Sequence, residues 1–372
     1  MFNKIDNEIK LANKLVNYSC KVKPHEKVLV TYSDCSDTLI EALIEETTKL
    51  GAIPIVYRLD KSIKRRLLIN SNEEMIKYYK EIVEPIMRSV DAVIIIGGSQ
   101  NDFELSDISS EQLYNYNKYY IEPIHFKIRC VKKWVLLRYP NPSFAQSSHL
   151  STEKFCQFFF NVCTLDYLKL NEKMTPLKDI MENTDKVHII TPTTDLTFSI
   201  KNMPAIKCSG ECNIPDGEIY TAPIKDSVNG HITFNVPAVE NGIEFKDIKL
   251  VFENGKIVDF DCNNKKEFES ILNTDDGSRY LGEFAFGLNP YCENYIKDIL
   301  FDEKMTSSIH LAIGSSYEDC YNGNTSAVHL DLILSLKECM GGGKIYFDEA
   351  LFYENGKFLW PNLVDLNSEN LV

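Results

Sequence analysis

From Lys27 to Arg138 short, continuous apolar runs alternate with longer stretches in which apolar residues recur every three or four positions. The runs are Lys27–Tyr32, Ile53–Tyr57, Ala92–Gly97 and Trp134–Arg138. Ser36 or Asp37 supplies an N-cap and Gly51 a stop for one helix, and the pattern from Glu73 to Ser89 predicts a long one. Val, Ile and Leu runs without polar alternation predict strands covered on both faces. The helical stretches between them predict a parallel sheet. Ile5, Ile9, Ala12 and Val16 fall on one face of a further, N-terminal helix. The basic run Lys61 to Arg66 reads as the solvated start of another.

After residue 180 the pattern changes. Asn254-Gly255 and Asn355-Gly356 lie within the strand-like stretches Ile248 to Phe260 and Lys344 to Leu359, and predict hairpin turns. Leu332 to Cys339 reads as a helical stretch that Gly341-Gly342-Gly343 stops. The predicted fold class is α/β: an N-terminal parallel-sheet α/β domain, residues 1–180, followed by a C-terminal α+β domain with antiparallel hairpins, residues 181–372. Pro, Asn and Lys accumulate at the boundary, between Asp166 and Lys186.

Composition narrows the classes of function. A chain of 372 residues exceeds one ordinary core, and 44% hydrophobic with 25% charged residues is usual for a globular protein. The net charge of −14 argues against nucleic acid as a partner. No stretch approaches the roughly 18 apolar residues of a membrane span, and the N-terminus lacks the pattern of a signal peptide. The 11 cysteines are odd in number and scattered, which predicts reduced thiols and a cytoplasmic location. Cys208 and Cys212, four apart, have no second pair to complete a zinc site and read as buried or idle thiols. No glycine-rich phosphate-binding motif is present.

All the candidate chemistry lies in the second half. His329 and Asp331 are two apart, so an extended segment points both to one side, and His310 stands nineteen positions earlier. Only 7 histidines occur in the chain. Glu218 follows a Pro-Asp-Gly turn that fixes its backbone. Glu283 sits in an apolar run, where an unpaired carboxylate is expensive. Glu303 comes shortly before His310. Each alone has a bland reading as a solvated or salt-bridged group. Together, two imidazoles and three or four carboxylates suit two adjacent divalent ions. Tyr317, seven residues after His310, adds a phenol able to donate to an oxyanion.

In this order the motifs resemble the thermophilic-type metallo-aminopeptidases, the family of aminopeptidases T and S. They are Asn213-Ile-Pro-Asp-Gly-Glu218-Ile-Tyr-Thr-Ala-Pro223, Leu281-Gly-Glu283, Phe301-Asp-Glu303, Ile309-His310 through Tyr317, and His329-Leu-Asp331. In the first half, Trp134 to Pro140, Ala145-Gln146 and Phe155 through Tyr167 are also similar to the family. The resemblance implies Glu218, Glu283, His310, His329 and Asp331 as metal ligands, with Glu283 bridging. It implies Tyr317 as a transition-state donor and Glu283 or Glu303 as the proton carrier. It further implies two divalent ions (zinc, cobalt, manganese or magnesium), short peptide substrates and a homodimer. Glu303 is separated from His310 by two more residues than the family pattern has, which leaves ligand and general base both open for it. The spacing from His310 to His329 is compressed, which implies a shorter loop at the substrate pocket. The alternative is a mononuclear iron(II) ring-cleaving dioxygenase using His310, His329 and Asp331. Retention of both Glu218 and Glu283 favours two ions.

Overall fold

The structure, a computed structural model, describes residues 3–101, 103–240 and 242–371. The chain forms two compact units, one of Met1–Thr164 with Gly210–Pro215, the other of Leu165–Ser209 with Asp216–Val372. No helix among the described residues is long and apolar enough to cross a membrane.

The first unit is built on a parallel sheet of five strands in the order Ile53–Arg58, Lys27–Tyr32, Ala92–Gly97, Lys133–Arg138, Asn213–Ile214. Val28, Val30, Val93, Ile94, Val135 and Leu137 are fully buried in it, as their unbroken apolar runs require. The predicted helices form as Asp37–Lys49, Lys61–Ile69 and Glu73–Ser89. The N-terminal helix, Lys4–Asn13, is turned relative to its expected stripe. Of that stripe Ala12 and Val16 are buried, but Ile5 and Ile9 are 55% and 45% exposed, and Glu8 and Leu11 are buried in their place. The cause is polar: the Glu8 carboxylate accepts hydrogen bonds from the Tyr139 and Ser36 hydroxyls, which draws Glu8 inward.

The second unit holds two larger antiparallel sheets. One has eight strands, in the order Lys256–Asp261, Ile248–Glu253, Asn229–Phe234, Thr194–Ser199, Lys186–Thr191, Lys344–Phe347, Ala350–Glu354, Lys357–Phe358. Both predicted Asn-Gly hairpins are present. Asn254 and Gly255 have φ of 47° and 84°, Asn355 and Gly356 49° and 82°, the left-handed pair that a tight hairpin turn needs. A third hairpin, at Asp348-Glu349, divides the stretch read as one pair of strands.

The other sheet has five strands, in the order His329–Ser335, Ser308–Gly314, Leu281–Gly287, Glu218–Thr221, Ile206–Cys208. The expected helix over Leu332 to Cys339 is therefore wrong. Residues 329–335 form a strand, followed by a short turn at Glu338–Met340. Leu332, Ile333 and Leu334 form an apolar run buried on both faces, which lacks the alternation that would have marked a strand. One face of this sheet carries Phe284, Phe286, Ile309, Leu311, Ile313, Leu330, Leu332 and Leu334 into the core. There Phe286 meets Phe347, Phe352, Tyr353 and Phe358 of the eight-stranded sheet at ring distances of 5.6 to 6.4 Å. The opposite face carries the polar residues.

Candidate metal centre

Strand register decides which side chains meet. Opposite residues of an antiparallel pair project from the same face. Glu218 pairs with Gly287, Ala285 with His310, Glu283 with Ala312, Ala312 with Asp331, and Gly314 with His329. Glu218, Glu283, His310, His329 and Asp331 thus share one face, drawn from four neighbouring strands. The residues opposite them are Gly or Ala in most positions, which leaves the longer polar side chains room to converge.

Glu283 sits at the middle. Its Oε1 lies 3.4 Å from His310 Nε2, and its Oε2 lies 3.3 Å from His329 Nε2. Glu218 Oε2 is 3.5 Å from the same His310 nitrogen, and Asp331 Oδ1 is 3.6 Å from His329 Nε2. Two groups with ligand atoms within 4.8 Å of one another result: Glu218, Glu283 and His310, and Glu283, His329 and Asp331. Glu283 belongs to both.

These contacts are longer than ordinary hydrogen bonds. Glu218 Oε2, His329 Nε2 and Asp331 Oδ1, which face the centre, are buried without a hydrogen-bond partner among the described residues. Orphaned buried polar atoms cost about 1–3 kcal/mol each, so a cluster of them facing inward fits cations. The charges agree. Burial pushes the His310 imidazole down, but Glu283 and Glu218 outweigh it and hold it at about 9. His329 is likewise raised, Asp331 and Glu283 prevailing over burial. The carboxylates therefore demand positive charge at the two places where the imidazole Nε2 atoms stand. The other nitrogen of His329, Nδ1, is 2.8 Å from the Ser315 carbonyl oxygen; donation there turns Nε2 to the centre.

Glu303 stands apart from both groups. Its carboxylate lies 2.6 Å from Lys304 Nζ, and burial raises its pKa to about 8 against the pull of that ammonium. Tyr317 lies at the mouth, 45% exposed, with its ring 4.7 Å from that of His329 and 5.2 Å from that of Tyr220. Desolvation first, then the Glu283 and Asp331 carboxylates, raise its pKa, so the phenol stays a donor. Its loop is pinned by Asn324, whose amide donates to the carbonyls of Gly277 and Gly314 at 2.9 and 2.6 Å.

A family model described as thermophilic metalloprotease (M29) matches residues 6–358. The chain belongs to that family. The M29 chain is thus a metalloprotease, and its curated relatives carry aminopeptidase names. It is 24% identical to aminopeptidase PepS of Streptococcus thermophilus over 88% of this chain and 92% of that one. Its fold is similar to that of wild-type AmpT from Thermus thermophilus, with a TM-score of 0.81 and 20% identity over 95% and 99% of the two chains. It is also similar, with a TM-score of 0.61 and 13% identity over 98% and 100%, to the 2,5-dihydroxypyridine dioxygenase from Pseudomonas putida KT2440.

Sequence reasoning about this M29 chain missed three neighbours of Glu218. Lys304 Nζ lies 2.5 Å from Glu218 Oε1 and 3.7 Å from Asp216 Oδ1, and Cys208 joins Asp216 and Glu218 in a third close group. Cys208, read as an idle thiol, therefore faces the centre's edge. Its position opposite Glu218 in the strand pairing explains why. The one signal available was Lys304 itself, a lysine directly after Phe-Asp-Glu.

Proposed function

We propose that the chain is a dinuclear aminopeptidase that removes the N-terminal residue from short peptides. The observation that carries this reading is Glu283, each of whose oxygens faces the imidazole of a different ligand group. Glu218 and His310 complete one set, His329 and Asp331 the other. Two divalent ions held there supply the Lewis acidity that activates a water and polarises the scissile carbonyl.

The chain's own groups do the rest. Tyr317, kept protonated, donates its phenol O–H to the oxygen of the substrate carbonyl as negative charge develops on it. Glu303, with its raised pKa, takes a proton and returns it to the leaving amine. Ser315 holds His329 in the tautomer that turns Nε2 inward. A cleft of about 70 Å³ opens beside His329 and Asp331, lined by Ala238, Val239, Glu240, Lys297, Ile299 and Ile333 among others. Homodimerisation, implied by the family likeness, and a cytoplasmic location, implied by the thiol pattern, belong to the same proposal.

A mononuclear iron(II) dioxygenase is the second reading. It is favoured by the set His310, His329 and Asp331 and by the shared fold with the pyridine-ring enzyme. It leaves Glu218 and the second oxygen of Glu283 without a task. The test is hydrolysis of aminoacyl-p-nitroanilides and dipeptides, before and after chelation and after restoring zinc, cobalt, manganese or magnesium. Metal-dependent release of the first residue is expected. A chain carrying its full complement of metal that cleaves none of these substrates would overturn the reading.

A further inference from the structure

Lys304 is a lysine only 1% exposed, set among carboxylates at the edge of the centre. Its ammonium contacts Glu218 Oε1 at 2.5 Å, Glu303 at 2.6 Å and Asp216 at 3.7 Å. Burial of an ammonium is tolerated only where such partners neutralise it. A second feature of the fold puts it there. Gly287 lies opposite Glu218 in the strand pairing, and a Cβ on Gly287 would stand 2.2 Å from the Met305 carbonyl oxygen and 2.9 Å from the Lys304 carbonyl carbon. The missing side chain lets the Lys304-Met305 backbone run directly over the sheet, within reach of Glu218.

The same corner has the composition of a soft metal site. Cys208, Asp216 and Glu218 offer a sulfur and two carboxylate oxygens within 4.8 Å of one another, a set that suits zinc or cobalt. The ammonium of Lys304 already contacts both of its carboxylates.

We infer that Lys304 is a positioning residue that serves as an internal cation, closing the Cys208–Asp216–Glu218 corner to metal and leaving Glu218 only Oε2 for the centre. Glu218 Oε2, which faces His310, has no hydrogen-bond partner among the described residues, whereas Oε1 is held by Lys304. Glu283 makes no contact with a Lys or Arg among the described residues and keeps both oxygens for the imidazoles. One buried ammonium thereby distinguishes a terminal ligand from a bridging one, and limits how many ions the face accepts. The statement about Glu218 rests on the dinuclear reading; the exclusion of metal from the corner does not.

Cobalt(II) titration of the apoenzyme tests this, read by bound metal per chain and by the thiolate-to-cobalt charge-transfer band in the near ultraviolet. The wild-type protein is expected to show no such band. Lys304→Met is expected to bind one cobalt more than wild type and to gain the band, the Cys208 thiol proton leaving to solvent. Adding Cys208→Ser to that variant should remove the band. Because losing a buried cation endangers folding, Lys304→Met combined with Glu303→Gln, which removes the ammonium together with the carboxyl group it contacts, is measured alongside. A thiolate band in cobalt-loaded wild type overturns the inference, as does a folded Lys304 variant with an unchanged cobalt count and no band. A wild-type count of one ion would instead sink the dinuclear reading and leave the increment on Lys304→Met as a separate result.

Discussion

Glu283 reaches His310 with one oxygen only: Oε1 stands 3.4 Å from Nε2, and the other oxygen is turned to the imidazole of His329 on a more distant strand. Loss of this one carboxylate should therefore empty both ligand groups, whereas loss of Asp331 should affect one. Glu283→Gln keeps the shape and removes the charge. It is expected to abolish peptidase activity and retain almost no metal after dialysis, with Asp331→Ala retaining part of it. Elemental analysis of the dialysed variants checks this; Glu283→Gln with wild-type metal content would refute the bridging role.

Tyr317 touches the ring of His329 but belongs to neither ligand group. Tyr317→Phe is expected to lower kcat by about 10²–10³, the usual effect of removing one oxyanion donor, at unchanged metal content. Parallel kinetics and metal analysis decide. A variant that loses metal would place Tyr317 among the ligands.

Gly287 admits the backbone of residues 304–305 against the sheet. Gly287→Ala puts a methyl group 2.2 Å from a carbonyl oxygen, and overpacking of this kind costs about 1–3 kcal/mol. Urea denaturation of the metal-free protein should show that loss. Unchanged stability would mean that the segment moves aside freely.

His125, in the first unit, is held down at about 4, by burial first and then by the positive charge of Arg129. The ordinary imidazole value is 6.5. Above that pH both folded and unfolded chains leave the ring neutral, and it contributes nothing. Between 6.5 and about 4 the unfolded chain takes up a proton that the folded one resists, so stability falls as pH falls through this window. His125→Phe keeps an aromatic ring against Tyr120 and removes the proton. As pH falls through this range the denaturation midpoint of wild type should drop further than that of the variant, the difference shifting steadily in the variant's favour. Parallel pH curves would show that His125 is not the source.

Much of this arrangement was legible from residue order because strands have a period of two. His329 and Asp331 share a side for that reason, and the Asn-Gly pairs announce hairpins through their left-handed backbone. The strand at His329–Ser335 was not legible past Asp331, since burial on both faces erases alternation. Lys304 was invisible for a different reason. Its partners Glu218 and Asp216 lie some ninety residues away in the chain, and only the pairing of Glu218 with Gly287 brings them together. The tilt of the N-terminal helix was hidden likewise, set by hydrogen bonds from Tyr139 and Ser36 to Glu8 rather than by its apolar spacing.

The most direct test of two ions sharing one carboxylate is titration of the apoenzyme with cobalt or zinc while bound metal and aminopeptidase activity are followed together. The account predicts that occupancy saturates at two ions per chain and that activity requires the site Glu283 shares. Saturation at a single ion, with full activity or with none, would contradict it.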